Sequence, residues 1–192
     1  MLLPMILKKA QHMLYRLFPS WSKGLHRKKR KGLATRWPGL ECQRTQDAIF
    51  WEKFLRGTRE GTFWEVGAGD GATGSQTLWL ETEKSWKGAL WEPCERPRET
   101  ASKHRKGSVI GVQTDPVMAL QTKSPNPDLL AVHRPDEFLW VWSVLYAAKI
   151  TPRWVIVENP DAEVRWASKL LKCGYRLVWF FQDDEYFERR SQ

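Results

Sequence analysis

Near the start of the chain, apolar residues recur at helical spacing: Leu3, Leu7, Ala10, Leu14, Leu17, Phe18 and Trp21, with Pro4 suited to a first turn. Past residue 41 the pattern becomes an alternation of short apolar runs and longer amphipathic stretches. Thr45 caps a predicted helix reaching Leu55, whose Ile49, Phe50, Phe54 and Leu55 would face a sheet. Gly57 and Gly61 bracket the break that follows, and residues 62–66, Thr-Phe-Trp-Glu-Val, read as a strand. Residues 88–91 and 108–112 read as further strands, with a helix over 93–104 between them. The segment 114–127, rich in proline and polar residues, reads as a surface loop. A helix beginning at Asp136 carries Phe138, Leu139, Val141, Trp142, Leu145, Tyr146 and Ile150, a stripe broad enough to predict burial against the sheet. Val155-Ile156-Val157 is a continuous apolar run, as expected of a central parallel strand covered on both faces. Residues 162–173 give another helix, stopped by Gly174. Arg176 to Phe181 and Tyr186-Phe187 flank Gln182-Asp183-Asp184-Glu185, a predicted hairpin. Strands alternating with helices predict an α/β fold with a mostly parallel sheet, closed by that antiparallel hairpin.

Charge divides the chain in two. Before Glu41 there are ten Lys or Arg residues and no acid, including the run Arg27-Lys28-Lys29-Arg30-Lys31. The remaining 152 residues hold 21 basic and 22 acidic side chains. The net charge of +9 therefore belongs to an arm, residues 1–40, and the domain that follows, residues 41–192, is close to neutral. A neutral domain argues against a basic groove tracking phosphates. The arm fits helix packing on the domain, contact of residues 1–31 with an anionic membrane surface, or, with less support, nucleic acid. Its apolar part is too short and interrupted to span a bilayer, and its charge follows the apolar stretch, unlike a signal peptide. Cys42, Cys94 and Cys173 are far apart with no CxxC pair, which predicts reduced thiols, a cytoplasmic setting and no metal site. Most of the 12 tryptophans sit inside apolar elements and are expected in the core.

The candidate chemistry lies where the first strand meets Gly67-Ala68-Gly69-Asp70-Gly71. Glycines at a strand end let a ligand approach the backbone, and in a parallel sheet that turn lies on the ligand-binding edge. Gly67-x-Gly69 alone would also pass for a dinucleotide fingerprint. Glu65 before the glycines and Asp70 among them decide against it, because a pyrophosphate is repelled by carboxylates. S-adenosylmethionine carries a sulfonium and an α-ammonium instead, which such a loop favours. Glu92, before Pro93 at the end of the second strand, is placed to accept hydrogen bonds from ribose hydroxyls. Asp115, beyond the third strand, fits either an adenine contact or an ordinary turn.

The order Phe63-Trp64-Glu65-Val66-Gly67-Ala68-Gly69-Asp70-Gly71, then Ser75, Leu80-Glu81, Trp86-Lys87-Gly88 and Glu92-Pro93, resembles the FkbM family of methyltransferases. Gln46-Asp47 upstream, residues 153–159 and Gly174-Tyr175-Arg176 extend the likeness over roughly 45–187, with its specific part in 62–97. The resemblance implies a Rossmann-like class I methyltransferase fold and S-adenosylmethionine-dependent O-methylation of a sugar or other small hydroxylated acceptor. It implies a donor site at Glu65, Gly67, Ala68, Gly69, Asp70, Gly71, Ser75, Glu92 and Pro93. The family pattern has Asn at the position of Gly69, and an Asp-Val-Glu-Gly stretch where this chain has Val132-His133-Arg134-Pro135-Asp136-Glu137. His133 replaces the first acid there. With an unperturbed pKa of about 6.5 it suits a general base, and equally a polar residue ending a strand. Asp136 fits a helix cap or a catalytic group, and Glu158 with Asn159 ends a strand at the ligand edge.

Three functions follow in order of support. The first is a methyltransferase acting on a small acceptor, with His133, Asp136 and Glu158 as catalytic candidates. The second is a non-catalytic binder recruited by its arm, the altered His133 segment having lost the chemistry. The third is a nucleic-acid methyltransferase using the arm as its grip. An NAD-dependent oxidoreductase is disfavoured by the acidic loop.

Overall fold

The computed structural model describes residues 50–56, 58, 60–105, 109–111, 126–158, 164–181 and 184–190. The basic arm, Thr45 and Asp115 lie outside these residues, as does most of the proline-rich segment 114–127. Seven strands form one sheet: β1 (Thr62–Val66), β2 (Lys87–Trp91), β3 (Val109–Gly111), β4 (Leu129–Val132), β5 (Trp154–Glu158), β6 (Tyr175–Phe181) and β7 (Asp184–Arg189). Their order across the sheet is β3-β2-β1-β4-β5-β7-β6. β1 to β5 pair in parallel, and β7 runs antiparallel between β5 and β6. The expected mostly parallel sheet with a closing hairpin is therefore present. Chain order reverses between β1 and β4, and the crevice at such a switch point is where open α/β sheets bind ligands.

Around the sheet stand a π-helical turn (Trp51–Leu55) and four helices: α1 (Leu78–Lys84), α2 (Glu95–His104), α3 (Pro135–Ala147) and α4 (Val164–Lys172). The predicted helix ending at Leu55 is described only from Phe50 onward and closes as the wide π turn. Helix α1 was not anticipated, since seven residues are fewer than a periodicity window needs. Helix α3 starts at Pro135 with Arg134 in the cap position, one residue earlier than expected for a helix beginning at Asp136.

Side chains alternate along each strand and so sort onto two faces. Trp64, Val66, Leu130, Val132, Val155 and Val157 point into one core, covered by Phe138, Val141, Trp142 and Leu145 of α3 and by Leu170 of α4. Phe63, Leu90, Leu129, Trp154, Ile156 and Tyr186 point into the other, against Phe50, Leu55, Trp79 and Leu80. Of the tryptophans, Trp64, Trp79, Trp86, Trp142 and Trp154 are buried as expected, while Trp140 stays exposed on α3. Extending the alternation to the strand ends places Glu65, His133, Glu158 and Asp184 together on the second face, at the carboxyl edge of β1, β4 and β5. No helix among the described residues is long and apolar enough to cross a membrane.

Candidate functional site

After β1 the backbone coils back on itself. Gly67, Gly69 and Gly71 all have positive φ, at 72°, 58° and 74°. The amides of Gly67 and Ala68 donate to the carbonyl of Trp91 at 3.0 and 3.2 Å, tying the crook to the end of β2. Two of these glycines do different work. A Cβ on Gly71 would lie 2.8 Å from the Cβ of Ala101, so the missing side chain lets α2 pack against the loop. A Cβ on Gly69 would meet nothing within 4 Å, so this glycine opens onto free space at the ligand edge.

Glu92 stands beside that opening. One of its carboxylate oxygens accepts from the Gly69 amide at 2.8 Å and the other from the Cys94 amide at 2.9 Å. Two fixed donors orient the buried carboxylate, yet each oxygen keeps a lone pair for a further hydroxyl. Asp70 acts locally: Oδ1 accepts from the amides of Ala72 and Thr73 at 2.9 and 2.6 Å. Burial pushes its carboxyl up, but the bonds to Thr73 and Ala72 and the nearby His104 outweigh this and hold it below the usual carboxylate range. Pro93 is exposed, and its carbonyl accepts from Arg98 at 3.0 Å.

Glu65 is fully buried and committed to the protein. It accepts from Ser75 Oγ and the Gln76 amide at 2.9 Å each and from Thr77 Oγ1, and it faces Arg105 at 3.4 Å. Arg105, itself buried at the end of α2, also donates to the Gly71 carbonyl, Ser75 Oγ, Thr77 Oγ1 and Glu81. Sequence reasoning assigned Glu65 and Ser75 to the donor, whereas both spend their polar atoms on this internal network. Arg105 escaped notice because Lys103, His104, Arg105 and Lys106 resemble an ordinary solvated charge run. Burial alone would raise the Glu65 carboxyl, but His133, Arg105 and Thr77 bring it down to about 2.

His133 bridges the two halves of the edge. Its Nε2 lies 2.7 Å from Glu65 Oε1, and its Nδ1 lies 3.6 Å from Glu158 Oε2. Burial opposes the imidazolium charge, but the carboxylates of Glu158 and Glu65 outweigh it and raise the pKa to about 10. With a carboxylate facing each ring nitrogen, His133 is set to donate on both sides, which favours a polar residue ending a strand over a general base. Glu158, the other strand-end candidate, ends β5 and keeps a quarter of its side chain exposed. Asp184, buried, pairs in register with Glu158 and receives Gln76 Nε2 at 3.4 Å. Asp136 falls within the first turn of α3.

No protein-family model matches the chain, and no curated protein matches it. Solved structures match it in shape. A methyltransferase from Pyrococcus furiosus is 17% identical with a TM-score of 0.55, covering 88% of this chain and 99% of that one. An RNA methyltransferase from Salinibacter ruber, in complex with S-adenosyl-L-homocysteine, is 16% identical with a TM-score of 0.52, covering 77% and 90%. The methyltransferase domain of METTL16 is 13% identical with a TM-score of 0.57, covering 76% and 66%. At such identities the likeness is one of fold, and the chain has the Rossmann-like class I methyltransferase fold.

Proposed function

We propose that the chain is an S-adenosylmethionine-dependent methyltransferase. The observation that carries this reading is the Glu92 carboxylate, fixed by the Gly69 amide at the tip of β2 and next to the opening at Gly69. Its spare lone pairs suit two vicinal ribose hydroxyls. The donor supplies an electrophilic methyl group on a sulfonium. Gly67, Ala68 and Gly69 would contribute backbone, Glu92 would hold the ribose, and Pro93 would flank it. Glu65, Asp70, Gly71 and Ser75 would act indirectly by holding the crook in shape.

The acceptor side favours a small hydroxylated molecule, in keeping with the FkbM-like motif over 62–97. The partly exposed Glu158 side chain, at the end of β5 and 3.6 Å from His133, would accept the proton that a hydroxyl gives up. Methyl transfer is an in-line displacement, so alignment and exclusion of water supply much of what it needs.

A second reading, an RNA methyltransferase, is favoured by the ten basic residues and no acid before Glu41. It predicts RNA binding that weakens steeply with salt and is lost when Arg27, Lys28, Lys29, Arg30 and Lys31 are changed to Gln. The same variant tests attraction of the arm to vesicles containing anionic lipid.

The primary test is calorimetric titration of S-adenosylmethionine and S-adenosylhomocysteine, with NAD and Glu92→Gln as controls. Micromolar binding of both adenosyl ligands, weakened about tenfold or more in Glu92→Gln, is the expected result. Binding of NAD alone, or of none by folded protein, overturns the reading.

A further inference from the structure

Between Phe138 and Ala148, helix α3 carries no charged side chain. A helix that is apolar all round belongs inside a protein, yet among the described residues only one side of α3 is covered. Phe138, Val141, Trp142 and Leu145 are buried in the core beneath it. On the other side Tyr146 is 67% exposed and Trp140 38%, with Ser143 and Ala147 also exposed and Leu139 partly buried. Tyr146, expected against the sheet, therefore faces solvent. The other helices expose charge instead: Glu83 on α1, Arg96, Glu99 and Lys103 on α2, and Lys169 and Lys172 on α4.

The spacing of the five outward residues makes this side a match for itself. Positions 139, 140, 143, 146 and 147 span about a third of the helix circumference. Two copies of α3 laid antiparallel about Ser143 set Tyr146 of one protomer opposite Trp140 of its partner, and Ala147 opposite Leu139. The rings then pair at the flanks, Leu139 meets a small residue, and Ser143 at the centre lets the helices approach closely. The Ser143 hydroxyl already donates to the Leu139 carbonyl at 2.7 Å, so covering it strands no donor. Trp140 is braced against Trp91, with ring centroids 5.8 Å apart, and so loses little freedom when held. Charge along the axis also complements. Residues 134–137 carry one base and two acids, and Lys149 follows the helix end, so an antiparallel partner brings its base to the acidic start. Those acids disfavour insertion into an anionic bilayer, which prefers Lys and Arg around an apolar face.

We infer that the outer face of α3 is the interface of a homodimer, two copies packing antiparallel about a twofold axis at Ser143. The inference does not depend on the donor reading. Because α3 starts just past the tip of β4, the twofold sets the two ligand edges at opposite ends of the helix pair, roughly 20 Å apart, and leaves both open. One helix pair lies at the small end of specific interfaces, so association at micromolar concentration is expected.

Sedimentation velocity of the full chain tests this, from about 1 to 200 μM in about 0.5 M salt, which screens the basic arm. The mass is expected to rise from 22.5 kDa towards twice that value. Ser143→Arg sets like charges face to face and is expected to raise the dissociation constant about tenfold or more. Melts at low concentration should match the unaltered chain, since position 143 is exposed. Oxidising a mixture of Leu139→Cys and Ala147→Cys chains is expected to join 139 to 147, a pair that only antiparallel packing brings together. A monomer at every concentration, a dimer that Ser143→Arg leaves intact, or a dimer dissolved by salt overturns the inference. So does a monomer that binds phosphatidylserine vesicles and is released by Trp140→Ala, because the face then meets a membrane.

Discussion

The proposed donor side and the proposed acceptor side of the same sheet edge are built in opposite ways. The donor crook is local: Gly67 to Gly71 follow β1 directly, and Glu92 reaches them from the neighbouring strand. Its shape is then locked from beneath by Glu65 and Arg105, both out of contact with water. The acceptor edge gathers side chains far apart in the chain, with His133 on Glu65 across 68 residues and Gln76 on Asp184 across 108. Its open members, His133 and Glu158, keep partial exposure. Buried, paired side chains lie under the part proposed to hold the donor, and partly exposed ones under the part proposed to meet the acceptor.

The largest test of that contrast is Glu65→Gln. It removes the charge facing Arg105 and His133 in a buried network, and a loss of about 3–5 kcal/mol in unfolding free energy is expected from denaturant melts. A loss under about 1 kcal/mol would mean that the network does not lock the crook. Next come the glycines. Gly71→Ala combines a positive φ with a clash against Ala101, and a cost of about 3 kcal/mol is expected. Gly69→Ala meets open space and should cost only about 1 kcal/mol for its backbone conformation, while impairing donor binding. Equal stability costs at the two positions would erase the distinction between a packing glycine and a ligand-facing one.

The ion pair joining the two sides gives a pH signature. Glu65 falls from an ordinary 4.5 to about 2 on folding, so its stabilisation is present above pH 4.5 and is lost as pH falls through 2. His133 rises from 6.5 to about 10, so its stabilisation is complete below pH 6.5 and is lost as pH climbs through 10. Melting temperature should therefore be highest between about 4.5 and 6.5 as far as this pair governs it, and His133→Asn should flatten the alkaline decline. An unchanged alkaline limb in that variant would show that His133 is not the group responsible. The smallest effect on stability is expected from Glu158→Gln, within about 1 kcal/mol because the side chain is partly exposed. That same change should abolish methylation of a hydroxylated acceptor once one is found, with donor binding intact.

Six of the seven strands and the crook were readable because their signals are local: apolar runs of strand length, punctuating glycines and a carboxylate at a strand tip. What was misread shares one cause. Glu65 and Asp70 looked like ligand-facing charges, and in sequence a committed carboxylate looks no different from a spare one. Arg105 looked like surface because its neighbours are basic. His133 had the pKa of an isolated imidazole until two carboxylates were placed around it.

The sequence by itself determined which residues form the strands, where the backbone must turn, and that acids surround the turn. Those follow from period, glycine placement and residue type, which act over a few positions. Tertiary structure decided which of those acids remain available to a ligand. Hydrogen-bond commitment and proton affinity depend on what stands within a few ångströms, and strand order brings Glu65, His133, Glu158 and Asp184 into one row from four separate parts of the chain.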